Sequence, residues 1–313
     1  MTNDSETNSS SFTHSIDDCD QFILSKPPRF SHKRYFLINF YKILYRNMTN
    51  SPFLSSEVFA NLTDMKIFSR RDLDRKLYKI RPEVKSLFIS SDLIDLLNDL
   101  QHFLPNLDVL VSGHSDRNFK EETIIPESVK VWYSQNNAIS GDARVRLLPI
   151  GLENLSLGRG GRKKYFKLFH SNKIENRVLV PPFSPTNSIR KKVVLECRKN
   201  AKVFDVVTQM TYEREYFNLI GRYRYVLCLE GNGFDTHRLW ETLYLGSFPV
   251  VLKSDWSIKL NALNLPILIV DSIDEINYSL LVNFTENNAN FEPNNCEILW
   301  SSYWAKCFRN RAI

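Results

Sequence analysis

Short apolar runs that alternate with polar tips and amphipathic stretches set the tightest limit on what this chain can become. "SLFISS", "NLDVLVSGHSD", "VKVWYSQNN" and "VRLLPIGLEN" each join a strand-length apolar run to a polar end. Between the first two, "DLIDLLNDLQHFL" places Leu93, Leu96, Leu97, Leu100 and Phe103 at three- to four-residue spacing, which predicts an amphipathic helix capped by Asp92. The alternation then restarts. "NRVLVPPFS" reads as a strand, "TNSIRKKVVLECRKN" as a helix, "AKVFDVV" as a strand, and "TYEREYFNLIGRY" as a helix ended by Gly221. "RYVLCLEGNG" and "LPILIVDS" are further strands, the latter followed by a helix from "IDEIN". Strands alternating with helices indicate an α/β fold with a mainly parallel sheet. Ligands of such sheets gather at the carboxyl ends of the strands, so the tips "SGHSD", "SQNN" and "PIGLEN" would lie along one edge.

At roughly 100–200 residues per domain, 313 residues accommodate two domains. Residues 1–25 read as a disordered tail rich in Ser, Thr, Asn and Asp, residues 26–160 as a first α/β domain, and 161–295 as a second. Residues 296–313 form a C-terminal helix loaded with Trp300, Tyr303, Trp304 and Phe308. "RYFLINFYKILY", Arg34 to Tyr45, is the first strongly apolar segment and reads as a strand opening into a helix or loop. "GRGGRKK" marks the linker near residue 160, as a flexible basic connection or a phosphate- or nucleic-acid-binding patch.

Composition narrows the function classes. A net charge of +6 suits anionic ligands but falls short of the dense basic stripe of a dedicated nucleic-acid binder, so no nucleic-acid partner is expected. Five scattered cysteines without a C-x-x-C spacing argue against a disulfide framework or a zinc site and for reduced thiols in the cytoplasm. No apolar run approaches the roughly 18 residues that a membrane span needs, and the N-terminus has no basic-then-apolar leader pattern. "DLD", Asp72 to Asp74, lies in a charged, helix-like stretch rather than a Gly/Ser loop, which makes it a poor metal pair.

The most informative stretch runs from Leu229 to Leu252, "LEGNGFDTHRLWETLYLGSFPVVL". It follows "YVLC", continuously apolar as in a strand buried on both faces. Gly231 and Gly233 permit close approach of a ligand to the backbone. Asp235 or Thr236 can N-cap a helix over 237–245, and Gly246 is a natural residue to end it. On that helix Leu239, Trp240, Leu243 and Tyr244 share one arc, while His237, Arg238, Glu241 and Thr242 share the other, facing solvent or a cleft. A strand, a glycine-containing loop and a helix N-terminus make an anion site, because free amides and the helix dipole both favour phosphate. Neither the dinucleotide fingerprint nor a Walker loop is present.

"YVLCLEGNGFDTHRLWETLYLGSFPVV" resembles the donor-binding motif of exostosin-like glycosyltransferases with the GT-B fold, particularly bacterial and viral relatives that build surface polysaccharides. A looser similarity links it to the α1,3-fucosyltransferases. "VLVSGHSD", "VWYSQNN" and "LPIGLEN" look like the acceptor-side segments of the same group, in order, and the resemblance spans about residues 105–255. It implies two Rossmann-like domains facing across a cleft, with a nucleotide-diphosphate sugar held by the second and the C-terminal helix crossing back to the first. The implied reaction is sugar transfer to a hydroxyl of a glycan or lipid-linked acceptor, inverting, with no metal and no cofactor beyond the sugar nucleotide. It would run in the cytoplasm, with peripheral contact at a membrane.

Inverting transfer needs a general base for the acceptor hydroxyl and positive or dipolar groups for the leaving diphosphate. The base candidates are Asp116 and His114, with Glu153 behind them; each could instead hold its own loop. Gly231, Asn232, Gly233, Asp235, Thr236, His237 and Arg238 form the donor side. Arg190 joins them from a helix capped by Thr186, Asn187 or Ser188, unless it is merely a surface arginine beside Lys191 and Lys192. The resemblance gives Glu241 the ribose hydroxyls. Asn136 and Asn137 read as acceptor positioners or plain turn residues, and Glu230 as a loop-orienting group. Two rival readings remain: a sugar-nucleotide- or glycan-binding relative without catalysis, and a phosphate-recognising nucleic-acid protein.

Overall fold

A computed structural model describes residues 51–76, 83–97, 107–123, 127–155, 166, 172–209 and 213–310. The tail, the 34–45 segment, the "GRGGRKK" stretch and most of the helix expected after Asp92 lie outside these residues.

Two five-stranded parallel sheets form the framework. The first runs β1 (Met65–Ile67), β2 (Ser86–Ser90), β3 (Val109–Gly113), β4 (Val131–Ser134) and β5 (Val145–Leu147), neighbours in chain order throughout. The second contains β6 (Ile174–Val180), β7 (Phe204–Val206), β8 (Tyr223–Leu227), β9 (Phe248–Leu252) and β10 (Leu268–Val270) in the order β10-β9-β8-β6-β7, again all parallel. The fold is therefore α/β with two parallel sheets, as the alternation requires.

Side chains alternate between faces along each strand, and the cores sort accordingly. In the first sheet Leu87, Leu110 and Trp132 face one core while Phe88, Val111 and Tyr133 face another. Helix α1 (Ser56–Asn61) covers the second face together with the C-terminal helix, whose Trp304 and Phe308 pack on Tyr133 and Phe59. Helix α2 (Arg70–Lys76) carries Asp72 and Asp74, each within 3.6 Å of its own cation, Lys76 and Arg70. In the second sheet Val178, Val180, Tyr225 and Leu227 face one core, and Leu179 and Val226 face the other.

Helices α3 (Ser188–Lys199), α4 (Glu213–Arg222), α5 (His237–Tyr244), α6 (Asp255–Leu260) and α7 (Tyr278–Asn287) accompany the second sheet, and α8 (Ser301–Asn310) ends the described chain. No helix among the described residues is long and apolar enough to cross a membrane. Two local expectations change. The residues after Asp92 begin as a 3-10 turn, Ser91–Leu96, and Asp92 accepts from Ser115 Oγ at 2.5 Å instead of capping a helix. Helix α4 passes through Gly221 and stops at Arg222, because β8 follows at once.

The core on the α5 side of the second sheet also takes Leu147, Ile150 and Leu152 from the first half. Tyr244 ties it to both flanking segments. Its hydroxyl accepts from Leu54 N at 2.9 Å and donates to Leu299 O at 2.6 Å, and its ring lies 4.9 Å from Phe53 and 5.7 Å from Trp300. Tyr244→Phe keeps the packing but leaves a buried N–H and C=O unpaired. Urea unfolding should show a loss of about 2–4 kcal/mol with an unchanged m-value.

Candidate functional site

The strand order of the second sheet locates the site before any side chain is considered. β7 and β8 flank β6 on opposite sides, so the connections leaving β6 and β8 diverge. The crevice at such a switch point is where open parallel sheets bind ligands. Pro182 and Phe183 follow β6, the loop from Cys228 to Thr236 follows β8, and α3 and α5 begin there.

Two guanidinium groups meet in this crevice. Asn187 caps α3, its Oδ1 accepting from Arg190 N at 3.0 Å and its Nδ2 donating to Glu230 O and Gly231 O at 3.1 and 2.9 Å. Arg190 donates to Glu230 O at 2.8 Å, and to Ser184 O and Leu229 O at 3.1 Å each. Three of its five N–H donors thus hold backbone, and no carboxylate among the described residues pairs with it. Arg238, in the first turn of α5, donates to Tyr216 Oη at 3.1 Å and Pro182 O at 2.7 Å. Both guanidinium carbons lie over Phe183, at 4.2 Å for Arg238 and 5.2 Å for Arg190. Burial, and then the neighbouring Arg238, bring Arg190 down to about 10, so it keeps its proton in neutral water. Two adjacent cations, Arg190 held by backbone alone and Arg238 by Pro182 O and Tyr216, favour an anion between them.

The amide end of α5 adds to this. Thr236 stands at the N-cap in extended backbone, but its hydroxyl makes no capping bond. The caps of α1, α3, α6 and α7 (Ser55, Asn187, Ser254 and Asn277) all accept from their first turns. Asp235 does not cap either. Its buried carboxylate accepts from Thr236 N and Ile150 N at 2.8 Å each and, through both oxygens, from the Trp240 indole at 2.9 Å.

Helix α5 is buried on both arcs. Leu239, Trp240, Leu243 and Tyr244 are in the core as the periodicity required, but Glu241 and Thr242 are enclosed as well. Thr242 Oγ1 donates back to Arg238 O at 2.7 Å, and Glu241 accepts from Tyr216 Oη at 3.0 Å. A relay therefore runs from Arg238 through Tyr216 to Glu241. The polar arc faces packed protein because α4 supplies Tyr216 to satisfy it. Glu230, half-buried, accepts from Ser254 Oγ at 2.8 Å at the start of α6.

The tips of the first sheet close on this loop from across the crevice. Asn118 donates to Asn232 O at 3.2 Å and accepts from Phe234 N at 3.0 Å, gripping the backbone on both sides of Gly233. Asn136, at φ +51°, accepts from Asp235 N at 2.8 Å and donates to Ser115 O at 3.2 Å. Asn232 Nδ2 donates to Asp116 Oδ2 at 3.1 Å. Asn137 holds its own turn, accepting from Ile139 N at 2.8 Å, and it is fully buried like Asn136. Glu153 is half-buried in the loop after β5, next to Asn154.

The two histidines have opposite tautomers. Asn154 Oδ1 accepts from Glu57 N at 3.1 Å, which turns its Nδ2–H toward His114 Nδ1 at 2.9 Å. That ring nitrogen must accept, so neutral His114 carries its proton on Nε2. His237 Nδ1 lies 2.8 Å from Gly151 O. A carbonyl only accepts, so His237 is protonated on Nδ1.

Of the residues singled out in the sequence, the structure gathers Asp116, Asn136, Gly231, Asn232, Gly233, Asp235, Thr236, His237, Arg238 and Arg190 at one junction, with His114 and Glu153 in the adjoining loops. Phe183, Asn118, Tyr216, Asn154 and Asn187 complete it. Of these only Asn187 carried a signal, as a helix cap; the others are recruited by tertiary packing, at separations from 7 residues (Phe183–Arg190) to 116 (Asn118–Phe234), that follow no local period. No protein-family model matches this chain, and no curated protein matches it significantly.

Two outcomes follow. A Cβ at Gly233 would stand 2.7 Å from the buried Asn136 amide, so Gly233→Ala should cost about 1–3 kcal/mol in urea unfolding. Burial, above all, holds both His114 and His237 below the ordinary imidazole value. The unfolded chain therefore binds more protons below about pH 6.5, and stability present above that pH is lost as pH falls through the folded values. His114→Asn, which tolerates the local φ of +63°, should shrink that acid-side loss in urea titrations at stepped pH.

Proposed function

We propose that this chain is a GT-B-type glycosyltransferase of the exostosin-like kind. It would move a sugar from a nucleotide-diphosphate donor to a hydroxyl of a glycan or lipid-linked acceptor, with inversion and without a metal. The observation that carries this reading is the paired guanidinium groups of Arg190 and Arg238 over Phe183, at the switch point of the second sheet and beside the uncapped start of α5. A diphosphate supplies the negative charge that Arg190 lacks among the described residues, and its departure needs the stabilisation that fixed cations and amides provide. The polar tips of the first sheet would present the acceptor from the opposite wall. The reaction would proceed in the cytoplasm, with a lipid-linked acceptor met at a membrane surface.

Binding should appear as a rise in thermal midpoint with uridine, guanosine, adenosine or thymidine diphosphate, since a ligand of the folded state stabilises it. Arg190→Gln should weaken that binding by about 10- to 100-fold, roughly the worth of one charge-assisted contact. Unchanged affinity would remove the diphosphate from this corner. Steeply salt-dependent oligonucleotide binding would favour the nucleic-acid reading instead. Nucleotide release from donor and acceptor in the presence of a chelator separates an enzyme from a binding relative.

A further inference from the structure

We infer that the Nε2 atom of His237 is the proton acceptor of the transfer step, with Asp116 as the charge that steadies the resulting imidazolium. This rests on the glycosyltransferase reading above. A general base needs an unprotonated atom, a fixed orientation and a place between donor and acceptor. In this tautomer His114 fails the first requirement: its Nδ1 lone pair is engaged by Asn154 and its Nε2 carries a proton. Asp116 is exposed, and one of its oxygens already accepts from Asn232.

His237 meets all three conditions. The bond from Nδ1–H to Gly151 O fixes both the tautomer and the plane of the ring, and leaves the Nε2 lone pair without a hydrogen bond to any described residue. Its anchor belongs to the first half of the chain while its backbone opens α5 in the second, so the ring spans the junction at the amide end proposed for the diphosphate. Burial keeps the imidazole neutral, and the Asp116 carboxylate favours its protonated form.

In the step itself, the acceptor hydroxyl gives its proton to Nε2 as its oxygen bonds to the anomeric carbon. The bond from that carbon to the phosphate oxygen breaks, and the diphosphate leaves with the electron pair. Asp116 and the departing diphosphate balance the imidazolium until water takes the proton.

Two measurements on the full chain test this. Nitrogen-15 spectra of histidine-labelled protein at alkaline pH should show the His237 signals, identified by their loss in His237→Gln, as the tautomer protonated on Nδ1. A proton on Nε2 overturns the inference whatever the activity. His237→Gln retains a donor for Gly151, so it should keep its nucleoside-diphosphate affinity within about threefold while nucleotide release from a panel of nucleotide sugars falls by about 100-fold or more. Unchanged release overturns the inference, and a parallel loss of affinity and release makes His237 a donor contact. Failure of the unmutated protein to release nucleotide from any donor overturns the transferase reading and this inference together.

Discussion

One buried carboxylate holds the two halves of this molecule in register. Asp235 accepts from the Ile150 amide of the first half, the Thr236 amide at the start of α5 and the indole of Trp240 within it. Burial pushes its carboxyl up to about 7, while the N–H groups pull it down. Removing a carboxylate from water costs several kcal/mol unless hydrogen bonds replace the lost hydration. The donors come from two pieces of chain, the loop at Ile150 and the first turns of α5, so the arrangement is favourable only when both are in place. The positions of His237 and Arg238, which follow Asp235 within one turn, depend on that condition.

The second consequence is electrostatic. Arg190 and Arg238 are aimed by backbone carbonyls and by Tyr216 rather than by acids. Arg190 is thus directed without an acid to neutralise it, while Arg238 meets Glu241 only through Tyr216; cations so held stay available to a ligand. The same loop is gripped by Asn118 and Asn136 from the facing sheet. Whatever occupies the crevice is thereby linked to the tips of the first half, and the linkage is reciprocal.

The α/β framework was legible because strands buried on both faces read as unbroken apolar runs. Helix α5 was expected over 237–245 and spans His237–Tyr244, since its bounds rest on local chemistry, including Gly246 at φ +68°. The faces of α5 were only half legible. Periodicity placed Glu241 opposite the core, but it could not tell solvent from a second packed neighbour, and Tyr216 of α4 makes it the latter. Asp92 misled for a related reason: a good capping residue can be drawn to a distant partner, here Ser115. The strand order that creates the switch point leaves no trace in local pattern at all.

Helix α8 completes the core of the first sheet, yet it follows every strand of the second in the chain. During synthesis from the N-terminus, the apolar face formed by Phe88, Val111 and Tyr133 is covered only in part, by Leu54 and Phe59 beside α1, until Trp304 and Phe308 have been made. The first half is therefore not an independent folding unit in the order of its manufacture. It must wait, with part of a sheet face still open, for the second half to be built, and that interval is when such a chain is most open to aggregation.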